Sequence, residues 1–157
     1  EQHMTGTDDT QHGTAVLIEI DRLGGGNVPT KTHGGNSMIA RIWYGRTRPE
    51  HFDEYAKYVE ETGLRGLGAT AGNLGSFLFR RKVDDQAEFL VLSLWESFDA
   101  IRTFAGEDVE VARYYPEDTR YLLELEPKVQ HYEVSETGDL GGLGEWIAAA
   151  ERDREEV

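Results

Sequence analysis

Aromatic rings and phenolic hydroxyls are the side chains through which this chain could do chemistry. Tyr44 and Tyr114 carry hydroxyls able to orient a phenolic substrate or to find a backbone partner. With Trp95, Phe79 and Phe104 they would give walls suited to a flat aromatic ligand, although an ordinary core uses the same residue types. His51 and His131 are the histidines between residues 38 and 134, and a solvated role suits either better than a catalytic one, His51 more so. Metal chemistry is poorly served. The chain has no cysteine, no His-x-x-x-His or His-Glu-x-x-His spacing, and carboxylate neighbours such as Glu60 and Glu61 point to different helix faces. Nor can a Ser-His-Asp arrangement be argued from so few candidates.

The elements that must position these residues follow from apolar spacing. Met38-Ile-Ala-Arg-Ile-Trp-Tyr-Gly-Arg-Thr47 is β-branched and aromatic, and it runs into Arg48-Pro49-Glu50, where proline suits a first helical position. Over residues 50–62, Phe52, Tyr55, Ala56 and Val59 recur on one helical face, with Gly63 expected to end the helix. Residues 64–75 lack an apolar period and read as a loop. Residues 76–83 and 88–95 read as an antiparallel hairpin joined at Asp84-Asp85-Gln86. Ser97 resembles an N-cap for a helix over 98–104 that Gly106 ends. A short acidic helix or turn over 107–115 is stopped by Pro116, Pro116-Glu-Asp118 reads as turn chemistry, and residues 128–134 alternate as a last strand. The order strand, helix, strand, strand, helix, strand specifies an α+β, ferredoxin-like βαββαβ unit. On the first strand, Tyr44 shares the parity of Ile42, the side expected to meet the helices. Both parities of the third strand are apolar, Phe89, Val91 and Trp95 against Leu90, Leu92 and Leu94, so a second layer should cover the face without helices.

The first-strand sequence, Phe89-Leu-Val-Leu-Ser-Leu-Trp-Glu-Ser97, Ala100-Ile-Arg-Thr-Phe-Ala-Gly106, Tyr114-Tyr-Pro-Glu-Asp118 and His131-Tyr-Glu-Val134 together resemble the antibiotic biosynthesis monooxygenase domain family of the dimeric α/β-barrel superfamily. The resemblance covers residues 38–134. It implies a homodimer in which two sheets close into a dimeric α/β barrel, each protomer keeping a pocket between its sheet and its helices. It implies Trp95 as the pocket tryptophan, and Trp95, Tyr44 and Tyr114 are the catalytic candidates. Ile42, Phe52, Tyr55, Phe79, Phe104, Tyr115, Asp118 and His131 would contact substrate. The heme-degrading branch of the superfamily resembles the chain at Trp95, but alignment puts Ile42 where that branch has an asparagine and Tyr114 where it has the iron-binding histidine. Tyrosine can ligate heme iron, which keeps heme binding as a third reading.

Composition bounds these readings. A length of 157 residues fits one compact domain with appendages, and the net charge of −14 is spread along the chain. Such a surface repels phosphate backbones, and no basic patch interleaved with aromatics opposes it, so nucleic acid is not an expected partner. No apolar run reaches the ~18 residues of a membrane span, and the absence of cysteine is compatible with a reducing, cytoplasmic setting. Residues 1–37 read as an extension, native or vector-derived, preceding a natural start at Met38. Within them Thr14-Ala-Val-Leu-Ile-Glu-Ile20 has edge-strand composition and Gly24-Gly-Gly26 reads as a flexible linker. Residues 135–157 form an acidic tail in which Leu143, Trp146, Ile147 and Ala150 lie at helical spacing, able to pack on a groove or to recognise a protein partner.

The enzyme reading is a monooxygenase without a bound cofactor, in which an electron-rich quinol or anthrone supplies the electrons that reduce dioxygen. The rival is a non-catalytic small-molecule-binding or stress-associated dimer, since a shared fold does not carry a shared activity.

Overall fold

The computed structural model describes residues 37–155, so the expected edge strand at 14–20 and linker at 24–26 lie outside the described residues. Four antiparallel strands, β1 (Ile39–Thr47), β2 (Asn73–Val83), β3 (Gln86–Trp95) and β4 (Gln130–Glu133), form one sheet in the order β2-β3-β1-β4. Helices α1 (Phe52–Val59), α2 (Arg65–Gly68), α3 (Phe98–Ala105) and α4 (Asp118–Tyr121) accompany it, giving the ferredoxin-like α+β unit, and α5 (Gly141–Glu155) follows. No helix among the described residues is long and apolar enough to cross a membrane.

Local chemistry explains the element ends. Arg48 is extended ahead of Pro49, which opens a short 3-10 turn, Pro49–His51, leading into α1. Ser97 is extended, and its Oγ accepts the Ala100 N–H at 3.1 Å. Gly106, at φ 95°, closes α3 in a conformation that an L side chain resists. The hairpin between β2 and β3 turns at Asp84, whose φ is 52°.

Gly63 does not end the first helix. The helix continues through one wide π turn, Glu60–Leu64, into α2, so residues 64–68 are helical where a loop was expected. The reason lies in packing: Leu67 is 3% exposed and joins the core, a burial worth about 1.5–3 kcal/mol that offsets the roughly 1 kcal/mol cost of a helical glycine. Gly66 serves a closer purpose. A Cβ there would stand 2.5 Å from the Tyr115 hydroxyl, so its absence lets that ring settle against the helix.

Register decides the two faces of the sheet. Ile39 pairs with Trp95, Arg41 with Ser93, Trp43 with Val91 and Thr47 with Ala87, and these residues face the helices. Ile42 pairs with Leu92 and Tyr44 with Leu90, which places Tyr44 and Ile42 on the opposite face and corrects the expected parity. Both parities of β1 carry large apolar groups, so the pattern left the choice open, and the wide indole of Trp43 took the interior. The core gathers Tyr55, Val59, Phe89, Trp95, Ile101 and Phe104 between sheet and helices, with Tyr55 edge-on to Phe89 at 5.0 Å.

After α3 the chain makes a turn near Val109 and then runs extended, with Val111 bridged to Lys128 and the Ala112 N–H donating to the Pro127 carbonyl. Pro116 leads into α4 rather than into a bare turn. Hydrogen bonds join this connection to α1: the Tyr55 hydroxyl donates to Asp118, the Glu117 N–H donates to the Tyr58 hydroxyl, and the Tyr121 hydroxyl donates to Glu54. The tail forms α5, none of whose residues is buried; Trp146 is 69% exposed, so its apolar stripe joins no core among the described residues.

Gly66→Ala should destabilise the protein by about 1–3 kcal/mol through overpacking against Tyr115. In a Tyr115→Phe background the same change should stabilise, releasing the roughly 1 kcal/mol helix preference of alanine over glycine. Urea denaturation of the four proteins measures this, and equal effects in both backgrounds would disprove the contact.

Candidate functional site

A cavity lies between the helix-facing side of the sheet and the helices. The sheet contributes Arg41, Trp43, Val91 and Ser93, and the helical run from α1 to α2 contributes Tyr55, Val59, Thr62 and Leu67. Phe104 of α3 forms another wall, and Arg113, Tyr115 and Asp118 come from the connection after α3. Its volume is about 50 Å³. That holds a few waters or a dioxygen molecule, well below the roughly 300–1,000 Å³ of pockets that enclose drug-sized ligands.

Two charged groups of opposite sign stand in this cavity without pairing to each other. Arg41 is 4% exposed, its Nη2 donates to the Val111 carbonyl at 3.0 Å, and its guanidinium lies 5.6 Å from the Phe104 centroid. Burial lowers its pKa to about 10, so it remains a cation at neutral pH. Asp118 is 5% exposed, with Oδ1 accepting the Tyr55 hydroxyl at 2.8 Å and Oδ2 accepting the Tyr115 N–H at 2.5 Å. Burial raises its carboxyl above the ordinary range, and the bonds from Tyr115 and Tyr55 oppose that rise. The Tyr55 hydroxyl is pushed far up, by burial first and then by the Asp118 charge, so it stays a donor.

Among the described residues four buried side-chain atoms have no hydrogen-bond partner, Arg41 Nε, the Trp43 indole nitrogen, the Tyr115 hydroxyl and His131 Nε2, and the first three belong to residues that line this cavity. Trp43 stands edge-on to Tyr114 at 6.4 Å, and its N–H slightly offsets the burial that raises the Tyr114 pKa. Burial also raises Tyr115, with Arg113 opposing; the Arg113 guanidinium lies 5.2 Å from that ring and 4.8 Å from Phe104.

Of the residues singled out by sequence, Tyr55, Phe104, Tyr115 and Asp118 line the cavity together. Trp95 is fully buried beside it, donating from Nε1 to Ser93 Oγ at 2.8 Å with its ring 5.9 Å from Phe104. Tyr114 stands behind Trp43 and donates to the Glu126 carbonyl at 2.5 Å. Phe52 packs on Phe89 with Arg80 4.1 Å above its ring. Tyr44, Ile42 and Phe79 are on the other face of the sheet, where the Tyr44 hydroxyl donates to Glu88 at 2.9 Å. Ile42 and Tyr114 therefore cannot face one ligand within a protomer, as paired heme contacts would require. His131 lines a separate groove of about 480 Å³ at the β4 edge, 5.4 Å from Phe98, its pKa lowered by burial and then by Arg41. His51 lies edge-on to Tyr121 at 5.3 Å. Among the described residues no cluster of three or more metal-ligating side chains forms.

Sequence reasoning missed Arg41, Trp43, Thr62, Leu67, Ser93 and Arg113. A signal for Arg41 existed: it is the one charge inside the apolar run Met38-Ile-Ala-Arg-Ile-Trp-Tyr, and it shares the parity of Trp43.

Comparison with known proteins finds a family match over part of the chain and several solved structures to which it is similar. No curated protein matches the chain. Among solved structures, the chain is similar to a Nitrosomonas europaea protein of unknown function, at 11% identity and TM-score 0.47, covering 66% of this chain and 94% of that one. A Bacillus cereus protein provisionally named an antibiotic biosynthesis monooxygenase shares 15% identity at TM-score 0.45, covering 66% and 98%. A second Nitrosomonas europaea protein, named in the same provisional way, shares 13% at TM-score 0.47, covering 68% and 100%. The family model for antibiotic biosynthesis monooxygenases matches residues 38–109, which span β1 through α3 and so include the sheet wall of the cavity. Over that segment the chain is similar to the antibiotic biosynthesis monooxygenase domain family.

Proposed function

We propose that the protein is a homodimeric monooxygenase that oxidises a small electron-rich aromatic substrate, of quinol or anthrone type, with dioxygen and without a bound cofactor. The observation that carries the reading is Asp118: a buried carboxyl, held by Tyr55 and the Tyr115 N–H, facing an aromatic-walled cavity that also holds the Arg41 cation.

In this reading Asp118 accepts a proton from the substrate, and Arg41 stabilises the resulting anion in a site shielded from water. The anion passes one electron to dioxygen, the substrate radical and superoxide combine into a carbon–oxygen bond, and the peroxide takes the proton back. For an anthrone, loss of water then leaves a carbonyl, so a CH₂ and O₂ become C=O and H₂O. The cavity already suits dioxygen. The Tyr115 hydroxyl has no partner, so swinging its ring outward to admit a substrate edge breaks no hydrogen bond. The small volume favours one competing reading, a non-catalytic binder of a small molecule.

The open face of the sheet supports a dimer. Ile42, Leu90, Leu92 and Leu94 lie there with Phe77 and Phe79, whose rings stack at 5.9 Å, and Phe79 is 51% exposed. A continuous apolar face of this kind needs a cover, and a second copy presenting the same face closes the two sheets into a barrel.

Oxygen uptake with a panel of quinols and anthrones should show turnover, with Asp118→Asn lowering kcat by about 10²–10⁴. Absence of uptake from a folded dimer would remove the enzyme reading and leave the binder. If Asp118 is the base, activity rises with pH through a pKa above the usual carboxylate range. Tyr55→Phe should shift that limb to higher pH, because it removes a bond that favours the ionised form. An unshifted profile would exclude Asp118 as the titrating group. Leu92→Glu should yield monomers by sedimentation, whereas a wild-type protein monomeric across the micromolar range would overturn the dimer.

A further inference from the structure

We infer that the cavity is an anion site in which Arg41 Nε and the Tyr115 hydroxyl bind the carboxylate of a small organic acid. The inference goes beyond the proposed function, whose quinol or anthrone need not carry a carboxylate, and the site itself stands on geometry.

Arg41 is a buried cation with no carboxylate within salt-bridge distance among the described residues, although acidic residues outnumber basic ones 30 to 16 in the chain. A buried charge is ordinarily paired, and a buried guanidinium N–H is ordinarily bonded. Arg41 meets the second condition at Nη2 alone: it lines the cavity, and its buried Nε–H has no acceptor among the described residues. The Tyr115 hydroxyl is a second unpartnered donor on the same cavity, and the lack of a Cβ at Gly66 is what lets it sit there.

Asp118 is not the partner of these donors. Its two oxygens are taken by Tyr55 and by the Tyr115 N–H, and no hydrogen bond or ion pair joins it to Arg41. Arg113 adds a second guanidinium against Phe104 and Tyr115. Two cations against one carboxylate leave the cavity net positive inside a strongly acidic protein, which selects an anion over a neutral ligand. The volume of about 50 Å³ fixes how much of the ligand enters: a carboxylate fits, a ring does not. An aromatic acid would enter head first, its two oxygens accepting from Arg41 and Tyr115 and its ring lying in the mouth beside Arg113.

The test uses the whole protein with benzoate and its neutral isostere benzamide as probes, followed by NMR of arginine Nε–H groups, the Arg41 resonance being the one lost in Arg41→Lys. Benzoate should shift that resonance saturably, with benzamide at least tenfold weaker. Tyr115→Phe, which leaves the buried cation in place, should weaken benzoate at least fivefold while retaining the folded spectrum. Equal binding of acid and amide, an unmoved Arg41 resonance at saturating benzoate, or unchanged affinity in Tyr115→Phe would each overturn the inference. Because this readout needs no turnover, benzoate binding without quinol oxidation would sink the monooxygenase reading and leave the anion site intact.

Discussion

The pairing of β1 with β3 governs everything else about the site. Ile39 opposite Trp95 and Thr47 opposite Ala87 place Arg41, Trp43 and Ser93 beneath the helices and send Ile42 and Tyr44 outward. Side chains alternate along a strand, so a slip of one residue would exchange the two sets, burying Tyr44 and exporting the only cation the sheet lends to the cavity. The register is secured on the buried side by Ala87, Phe89, Val91, Ser93 and Trp95, whose combined burial no slipped pairing could reproduce.

The connection after α3 completes the cavity, and tyrosines of the first helix hold it there. Tyr55 bonds Asp118, Tyr58 accepts from Glu117, and Glu54 accepts from Tyr121, while the rings of Tyr55 and Tyr121 pack at 5.2 Å. The bond to the ionised Asp118 contributes on the order of 1.5–3 kcal/mol and the neutral one nearer 1. A stretch without a long helix or strand is thereby positioned as firmly as the sheet. Arg113 Nη1 donates to the Phe104 carbonyl at 3.0 Å, whereas the Tyr115 hydroxyl is left without a partner at its tip, and both residues line the cavity.

The polar interior is unusual in what it leaves unpaired. Asp118 is satisfied twice over, yet Arg41 and Tyr115, which line the same cavity, each keep a buried donor without a partner among the described residues. Buried donors of this kind ordinarily find an acceptor, and that expectation underlies the anion site proposed for the cavity.

The amino-acid sequence by itself determined the secondary elements and their order. Proline at the head of the first helix, Ser97 and Gly106 around the third, and the doubly apolar third strand are local signals that read without their neighbours, and the polar run at Asp84 marks the hairpin although β3 begins at Gln86, earlier than expected. Gly63 misled because a glycine's cost is local while the burial of Leu67 that outweighs it is tertiary. The residues of the cavity were half legible: Tyr55 lies on a clear helical stripe, and Phe104 and Asp118 could be named from the family pattern. Arg41 could not be placed, since a strand with apolar groups on both parities does not say which side faces in. Only the tertiary structure decided that, through the space available to Trp43 and the cross-strand match to Val91 and Ser93, and with it decided which charges and hydroxyls share one cavity.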